Sequence, residues 1–221
     1  MSLETIEFET GAHPGAAVIW LHGLGADGHD FEPIVPELRL RSSVRFVFPH
    51  APVRPVTING GMRMRAWYDI RGFNGQASED VAGIRASAAA VTELIDREVA
   101  RGMSAHRIVL AGFSQGGAVA LHTALREPRA LAGVLALSTY LPLAPTLAQE
   151  RSAANAATPI FMAHGTADSV LPLSLGESSR RALEALGYKV DWHTYRMAHS
   201  VCPEEVGAVG DWLAALPLER A

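Results

Sequence analysis

"RIVLAGFSQGG", residues 107–117, decides how the chain is read: an apolar run ends in Gly112, Phe113, Ser114, Gln115, Gly116 and Gly117. Two interpretations compete. In the first, Ser114 sits on a sharp turn between a strand and a helix, with its oxygen exposed as a nucleophile. Side chains at 112 or 116 would then collide with the neighbouring strand or helix, which is the physical reason for glycine there. In the second, the glycines let the chain change direction and the serine is incidental. Chance alone puts Gly, Ser and Gly at these offsets in roughly one chain in ten of this size, so the pattern needs support from elsewhere. The following stretch, "AVALHTALRE", reads as a helix and supplies the strand, turn and helix that a nucleophile elbow requires.

Working outward, other short apolar runs alternate with longer segments of helical periodicity. Strands are expected at "TIEFE" near the start, "AAVIWL" (16–21), "VRFVF" (44–48), "RIVLAGF" (107–113), "GVLALS" (133–138), "PIFMAH" (159–164) and "KVDWHTY" (189–195). Several are apolar on both faces, as strands inside a parallel sheet must be. Residues 80–102 and 173–187 place apolar side chains three and four apart and end in glycine, so they read as amphipathic helices. The alternation implies an α/β fold with a mostly parallel central sheet, helices on both faces, and one domain over 1–221. Ligands of such sheets bind at the carboxyl ends of the strands.

Two further strand ends carry polar chemistry. "PIFMAH" is followed by "GTADSVLP", which puts Asp168 in a loop closed by Pro172, where its carboxylate can orient a histidine or simply stabilise a turn. "KVDWHTY" is followed by "RMAHSVCPEEV", so His199 lies just before a helix that starts near Pro203. Ser114, Asp168 and His199 thus each follow a different strand, in the order of the α/β-hydrolase arrangement, an order that other serine hydrolase folds do not share. At a fourth strand end, "AAVIWLHGLGADGHDF" places His22, Gly23, Leu24 and Gly25 after a buried run. Acyl transfer needs two backbone N–H groups aimed at the developing oxyanion, and Leu24 and Gln115 are the candidates. A phosphate-cradling reading of these glycines lacks both the Walker lysine and the dinucleotide spacing.

Composition removes other classes. Hydrophobic residues make up 48% of the 221 residues, charged residues 19%, and the formal net charge is −4, which disfavours disorder and nucleic-acid binding. The first ten residues lack the apolar core of a secretory signal, and no run is long enough for a membrane span, so a soluble cytoplasmic protein without stable membrane insertion is expected. The single cysteine, Cys202, suits a reducing compartment and lacks the glycine setting of a nucleophile. Nine histidines form no metal-binding pattern, so no metal and no cofactor are called for; His22, His29, His50, His122, His164 and His193 read as structural or surface residues.

On "WLHGLGADG", "FVFPHAPVRPVTINGG", "AWYDI", "IVLAGFSQGGAVALHTAL", "GVLALSTYLP", "HGTADSVLP" and "YRMAHSV", the chain resembles the carboxylesterase, lysophospholipase and acyl-protein thioesterase family of α/β hydrolases, and most of all its bacterial carboxylesterases. The resemblance covers nearly the whole chain. It implies Ser114 as nucleophile, Asp168 as orienting acid and His199 as base, with Leu24 and Gln115 at the oxyanion. It also implies that Trp67, Tyr140 and Leu141 lie beside the acyl pocket, and that Thr139, at a position where glycine is common, narrows its wall.

Only about twenty residues separate "LALS" from "PIFMAH", too few for an inserted cap domain. The segment from Pro49 to Ala77, with Met62, Met64, Trp67, Tyr68 and Phe73, could wall an open site. These features point to a serine carboxylesterase of short- to medium-chain esters acting on a small-molecule or lipid-like acyl substrate. Acyl-protein thioesterase or lysophospholipase activity is the alternative, and a non-catalytic hydrolase-fold binding protein the remote one. A homodimer is compatible with the sequence.

Overall fold

The computed structural model describes residues 3–72 and 79–218. Its strands are β1 (Thr5–Glu9), β2 (Ala16–Leu21), β3 (Val44–Pro49), β4 (Val53–Val56), β5 (Met62–Arg65), β6 (Ile108–Phe113), β7 (Gly133–Leu137), β8 (Ile160–Gly165) and β9 (Val190–Tyr195). Its helices are α1 (Val81–Ala100), α2 (Gln115–Ala124), α3 (Ala144–Glu150), α4 (Leu173–Ala185) and α5 (Pro203–Ala215). Seven strands form one sheet in the order β1-β3-β2-β6-β7-β8-β9. Only the β1–β3 pair is antiparallel; the other five pairs are parallel.

Strand β2 shows why the sheet must be covered twice. Ala17, Ile19 and Leu21 enter one apolar layer, with Leu94 and Ile95 of α1, Val119 and Leu121 of α2, and Leu183 of α4. Ala16, Val18 and Trp20 point into the other, with Val209 and Leu213 of α5 and with Val35 and Leu38 of the 3-10 turn Glu32–Leu38. Every residue of β2 is buried, so its continuous apolar run follows from its having no solvent face.

The helix ends follow local chemistry. Asp80 caps α1 by accepting from the Gly83 amide at 3.1 Å, and Gly102 leaves it at φ 89°. Pro203 opens α5, with Glu204 and Glu205 in its first turn. Helix α2 differs: its cap position is Ser114, whose side chain makes no capping bond and whose φ is +52°. A polar residue at the head of a helix that leaves its hydroxyl uncommitted is available for other work.

Each expected strand is present, and the connection from β7 to β8 holds only α3 and a short 3-10 turn (Ala153–Asn155), so no large cap covers the sheet. The β4–β5 hairpin was not legible beforehand. Its four-residue strands, broken by Pro55 and closed through Gly60 and Gly61, are too short for periodicity to register. Phe73 lies outside the described residues. Among those residues, no helix is long and apolar enough to cross a membrane.

Candidate active site

Ser114 leaves β6 in a backbone conformation, φ 52° and ψ −119°, that costs a non-glycine residue about 1–3 kcal/mol. Three hydrogen bonds hold it there. Its N–H donates to the Leu137 carbonyl at 2.8 Å, while its own carbonyl accepts from the Ala118 amide at 3.1 Å and the Thr139 hydroxyl at 2.6 Å. A Cβ on Gly112 would overlap the backbone of Gly116, and one on Gly116 would overlap the Leu21 and His22 carbonyls. The glycines therefore let α2 lie directly on β6 and β2, with Ser114 at the apex. Thr139 is buried and also limits the space at Gly117, so it supports the turn from behind. It does not belong to the wall of the cavity in front of Ser114, where a narrowing was expected.

Ser114 Oγ lies 2.9 Å from His199 Nε2, and His199 Nδ1 lies 2.6 Å from Asp168 Oδ2. The other carboxylate oxygen of Asp168 accepts from the Val170 and Leu171 amides at 2.9 and 2.8 Å, which fixes the carboxylate plane. Leu171 then accepts at its carbonyl from His164 Nε2 at 2.8 Å, so this fully buried histidine braces the loop from behind. The loop bearing His199 crosses closely over Gly165, where a Cβ would overlap the Met197 and Ala198 carbonyls. The Phe113 ring packs 4.8 Å from the imidazole. Sequence order alone suggested these three residues, and the fold brings their side chains into one hydrogen-bonded row.

On the opposite flank, Gly23 packs against Phe113 and Ser114: a Cβ there would stand 3.6 Å from that of Ser114. This puts the 22–25 loop beside the serine. The Leu24 amide has no hydrogen-bond partner among the described residues, and the Gln115 amide is at the first position of α2, where a helix has no internal acceptor. His22 organises the loop. Its Nε2 accepts from the Ala51 amide at 3.0 Å, so the proton resides on Nδ1, which donates to the Gly23 carbonyl at 2.7 Å. Burial holds its pKa down at about 4, so it stays neutral across the physiological range.

A cavity of about 400 Å³ opens over Ser114 and His199, lined mainly by Leu24, Ile58, Ile70, Phe113, Val170 and Leu171. Asp30 is the acidic group on its wall. Burial and the neighbouring Asp27 raise its carboxyl above the usual aspartate range, and no cation offsets them.

Trp67, Tyr140 and Leu141, expected beside the acyl group, do not line this cavity. Trp67 is fully buried, donating from Nε1 to the His22 carbonyl at 2.9 Å. Tyr140 shares a 2.8 Å hydrogen bond with Tyr68, and burial pushes its phenol up to about 12. Leu141 is anchored by its amide to Ser179 at 2.8 Å. Trp67 packs behind the site because the chain from Ala66 to Ile70 turns its aromatic rings into the apolar layer that also holds Ile19, Leu21 and Leu94. Cys202 heads α5 and lines a separate groove against the 3-10 turn; burial pushes its thiol up, away from the thiolate form.

Sequence reasoning also gave Gln115 a role through its backbone alone. Its side chain accepts from the Trp67 amide and donates to the Tyr68 carbonyl, each at 2.8 Å. A glutamine directly after Ser114 was the available signal.

A mostly parallel sheet with a serine on the strand–helix turn, and with acid and histidine on later loops, is the α/β-hydrolase architecture. Residues 4–216 match the Phospholipase/Carboxylesterase family, and the chain is a hydrolase of that family. It is 45% identical over 209 residues to acyl-protein thioesterase 1 of Neurospora crassa, covering 90% of this chain and 85% of that protein. It is 41% identical over 205 residues to acyl-protein thioesterase 1 of Yarrowia lipolytica, covering 90% of each. Among solved structures it resembles Zea mays acyl-protein thioesterase 2, with a TM-score of 0.86, 33% identity and 96% and 98% of the two chains covered. The carboxylesterase of Bacillus cereus shares the fold at 20% identity, with a TM-score of 0.74 over 96% and 93% of the chains.

Proposed function

We propose that the chain is a serine acyl hydrolase that cleaves acyl thioesters, and oxygen esters of the same acyl groups, through an acyl-enzyme. The row from Ser114 Oγ through His199 to Asp168, at 2.9 and 2.6 Å, carries this reading. His199 Nε2 takes the serine proton as Oγ attacks the acyl carbonyl. The Leu24 and Gln115 amides receive the developing oxyanion. As the tetrahedral intermediate collapses, His199 passes the proton to the departing thiolate or alkoxide. A water, deprotonated by His199 in turn, opens the acyl-enzyme and releases the carboxylic acid. Asp168 keeps the imidazole in the tautomer with Nε2 free and stabilises the imidazolium.

The thioester preference rests on the relatives, which at 41–45% identity bear the thioesterase name, whereas the named carboxylesterase is similar at 20%. This moves the emphasis from the oxygen esters expected at first to the alternative. The cavity supports an apolar acyl group of modest length: about 400 Å³ is at the lower end of the usual 300–1,000 Å³ for small-molecule sites. Asp30 on its wall, when ionised, disfavours anionic groups in the cavity.

The test is a matched panel of acyl thioesters and oxygen esters from two to sixteen carbons, read as kcat/KM, together with fluorophosphonate labelling. Thioesters ahead of oxygen esters of equal acyl length, with the adduct on Ser114, are expected. Oxygen esters ahead throughout would return the reading to a carboxylesterase. No adduct on Ser114, or full activity in Ser114→Ala, would leave a binding protein.

A further inference from the structure

We propose that Trp67 and the Gln115 side chain are positioning residues, joining the two oxyanion-binding amides into one hydrogen-bonded circuit and thereby fixing their separation. The inference rests on the proposed roles of the Leu24 and Gln115 amides. Those amides come from different strand ends, and both must lie about 2.7–3.1 Å from a single oxygen in the transition state. Among the described residues, no hydrogen bond joins the 22–25 loop directly to Gln115.

The connection runs through Trp67. Gln115 grips this segment at two points: Oε1 accepts from the Trp67 amide and Nε2 donates to the Tyr68 carbonyl, both at 2.8 Å. From the same residue, the indole Nε1–H donates to the His22 carbonyl at 2.9 Å. His22 then reaches the Gly23 carbonyl through Nδ1, the oxygen of the same peptide group that carries the Leu24 N–H. The Ser87 hydroxyl donates to the Trp67 carbonyl, which secures the segment to α1. The rings of Trp67 and His22 are 5.3 Å apart, and Trp67, His22 and Gln115 are all at most 2% exposed. Each link is sheltered from water, where a hydrogen bond keeps its geometry and a missing partner is felt.

The circuit contains no group that takes up or releases a proton in the reaction, so it acts on the placement of amides and not on acid-base chemistry. Its loss should lower kcat, leave KM nearly unchanged and leave the pH profile as it was. Two variants test it. Trp67→Phe keeps a buried ring and deletes the Nε1–H link; Gln115→Met keeps length and the backbone amide and deletes the two side-chain bonds. Val209→Ala, in the opposite apolar layer, serves as a destabilised control away from the site.

A fall in kcat of about 10–100-fold is expected in each variant, with KM within about threefold and an unchanged pH profile, because losing a whole oxyanion donor costs about 10²–10³. Affinity for an alkylboronic acid, which forms a tetrahedral adduct on Ser114, should fall in step with kcat/KM. The proposal is overturned if both folded variants, checked by near-ultraviolet circular dichroism, keep kcat within threefold of the parent. It is also overturned if Val209→Ala loses as much, or if a rise in KM accounts for the loss. Should one variant fail to fold, the other decides alone; should both fail, the tie is structural and the proposal is wrong. Endpoint fluorophosphonate labelling of Ser114 in the parent keeps the hydrolase reading separate, since that label does not depend on the outcome for Trp67.

Discussion

On one flank of Ser114, His199 and Asp168 meet it through their side chains, across 2.9 and 2.6 Å. On the other, the 22–25 loop, with the Leu24 amide, and the first turn of α2, with the Gln115 amide, flank it as backbone, tied together through Trp67. The flanks also differ in their response to protons. The flank proposed to receive the oxyanion is braced by His22, whose pKa of about 4 keeps it neutral, whereas the flank proposed to supply the base carries His199 and continues into α5 and its buried Glu205. A site can thus split its work between reacting side chains on strand-end loops and fixed dipoles in a buried frame.

The largest test of this contrast lies on the base flank. Asp168→Asn keeps the shape but favours the wrong imidazole tautomer, and kcat should fall by about 10⁴-fold with folding intact. A fall under tenfold, measured by steady-state kinetics, would mean that Asp168 does not orient His199. On the oxyanion flank the expected damage is to the frame. Gly116→Ala drives a methyl into the Leu21 and His22 carbonyls and should cost about 3 kcal/mol in denaturant unfolding, with activity lost as the 22–25 loop is displaced. Parental stability in that variant would show that the frame yields easily.

Glu205 sharpens the difference in proton response. Its carboxyl is fully buried, and desolvation, outweighing the opposing pull of the Cys202 backbone, raises its pKa from 4.5 to about 8. An acid raised in the folded state stabilises most below its unfolded pKa. Between about pH 4.5 and 8 the unfolded chain ionises while the native chain stays protonated, so stability declines and then levels off. Relative to Glu205→Gln, the parent should lose on the order of 2–4 kcal/mol from pH 5 to pH 8. Parallel stability curves for the two proteins would refute this. The smallest effect is a control in the same helix: Gly207 has open space around it, so Gly207→Ala should stabilise by about 0.5–1 kcal/mol, opposite in sign to Gly116→Ala.

How much could be read beforehand follows the same division. Ser114, Asp168 and His199 are residue types with few other reasons to follow the ends of three different strands, and their order in the chain is visible without coordinates. The β-strands were legible because burial on both faces leaves continuous apolar runs. Trp67, Tyr140 and Leu141 were placed beside the acyl group because they adjoin matching segments, but adjacency in sequence does not state which way a ring turns. Thr139 was judged by its size, whereas its hydroxyl is what the fold uses, on the Ser114 carbonyl. The β4–β5 hairpin escaped because four residues do not establish a period.

The sequence by itself determined the α/β architecture, the order of the reacting side chains and the need for glycine at 112 and 116, because each depends on local pattern or on steric limits of single residues. Only the tertiary structure decided that the 22–25 loop comes to lie beside Ser114 through Gly23, that Asp168 is held by the Val170 and Leu171 amides, and that Trp67 ties His22 to Gln115. The physical reason is that every residue carries the same amide and carbonyl, so which of them meet is set by how distant segments pack and not by what the residues are.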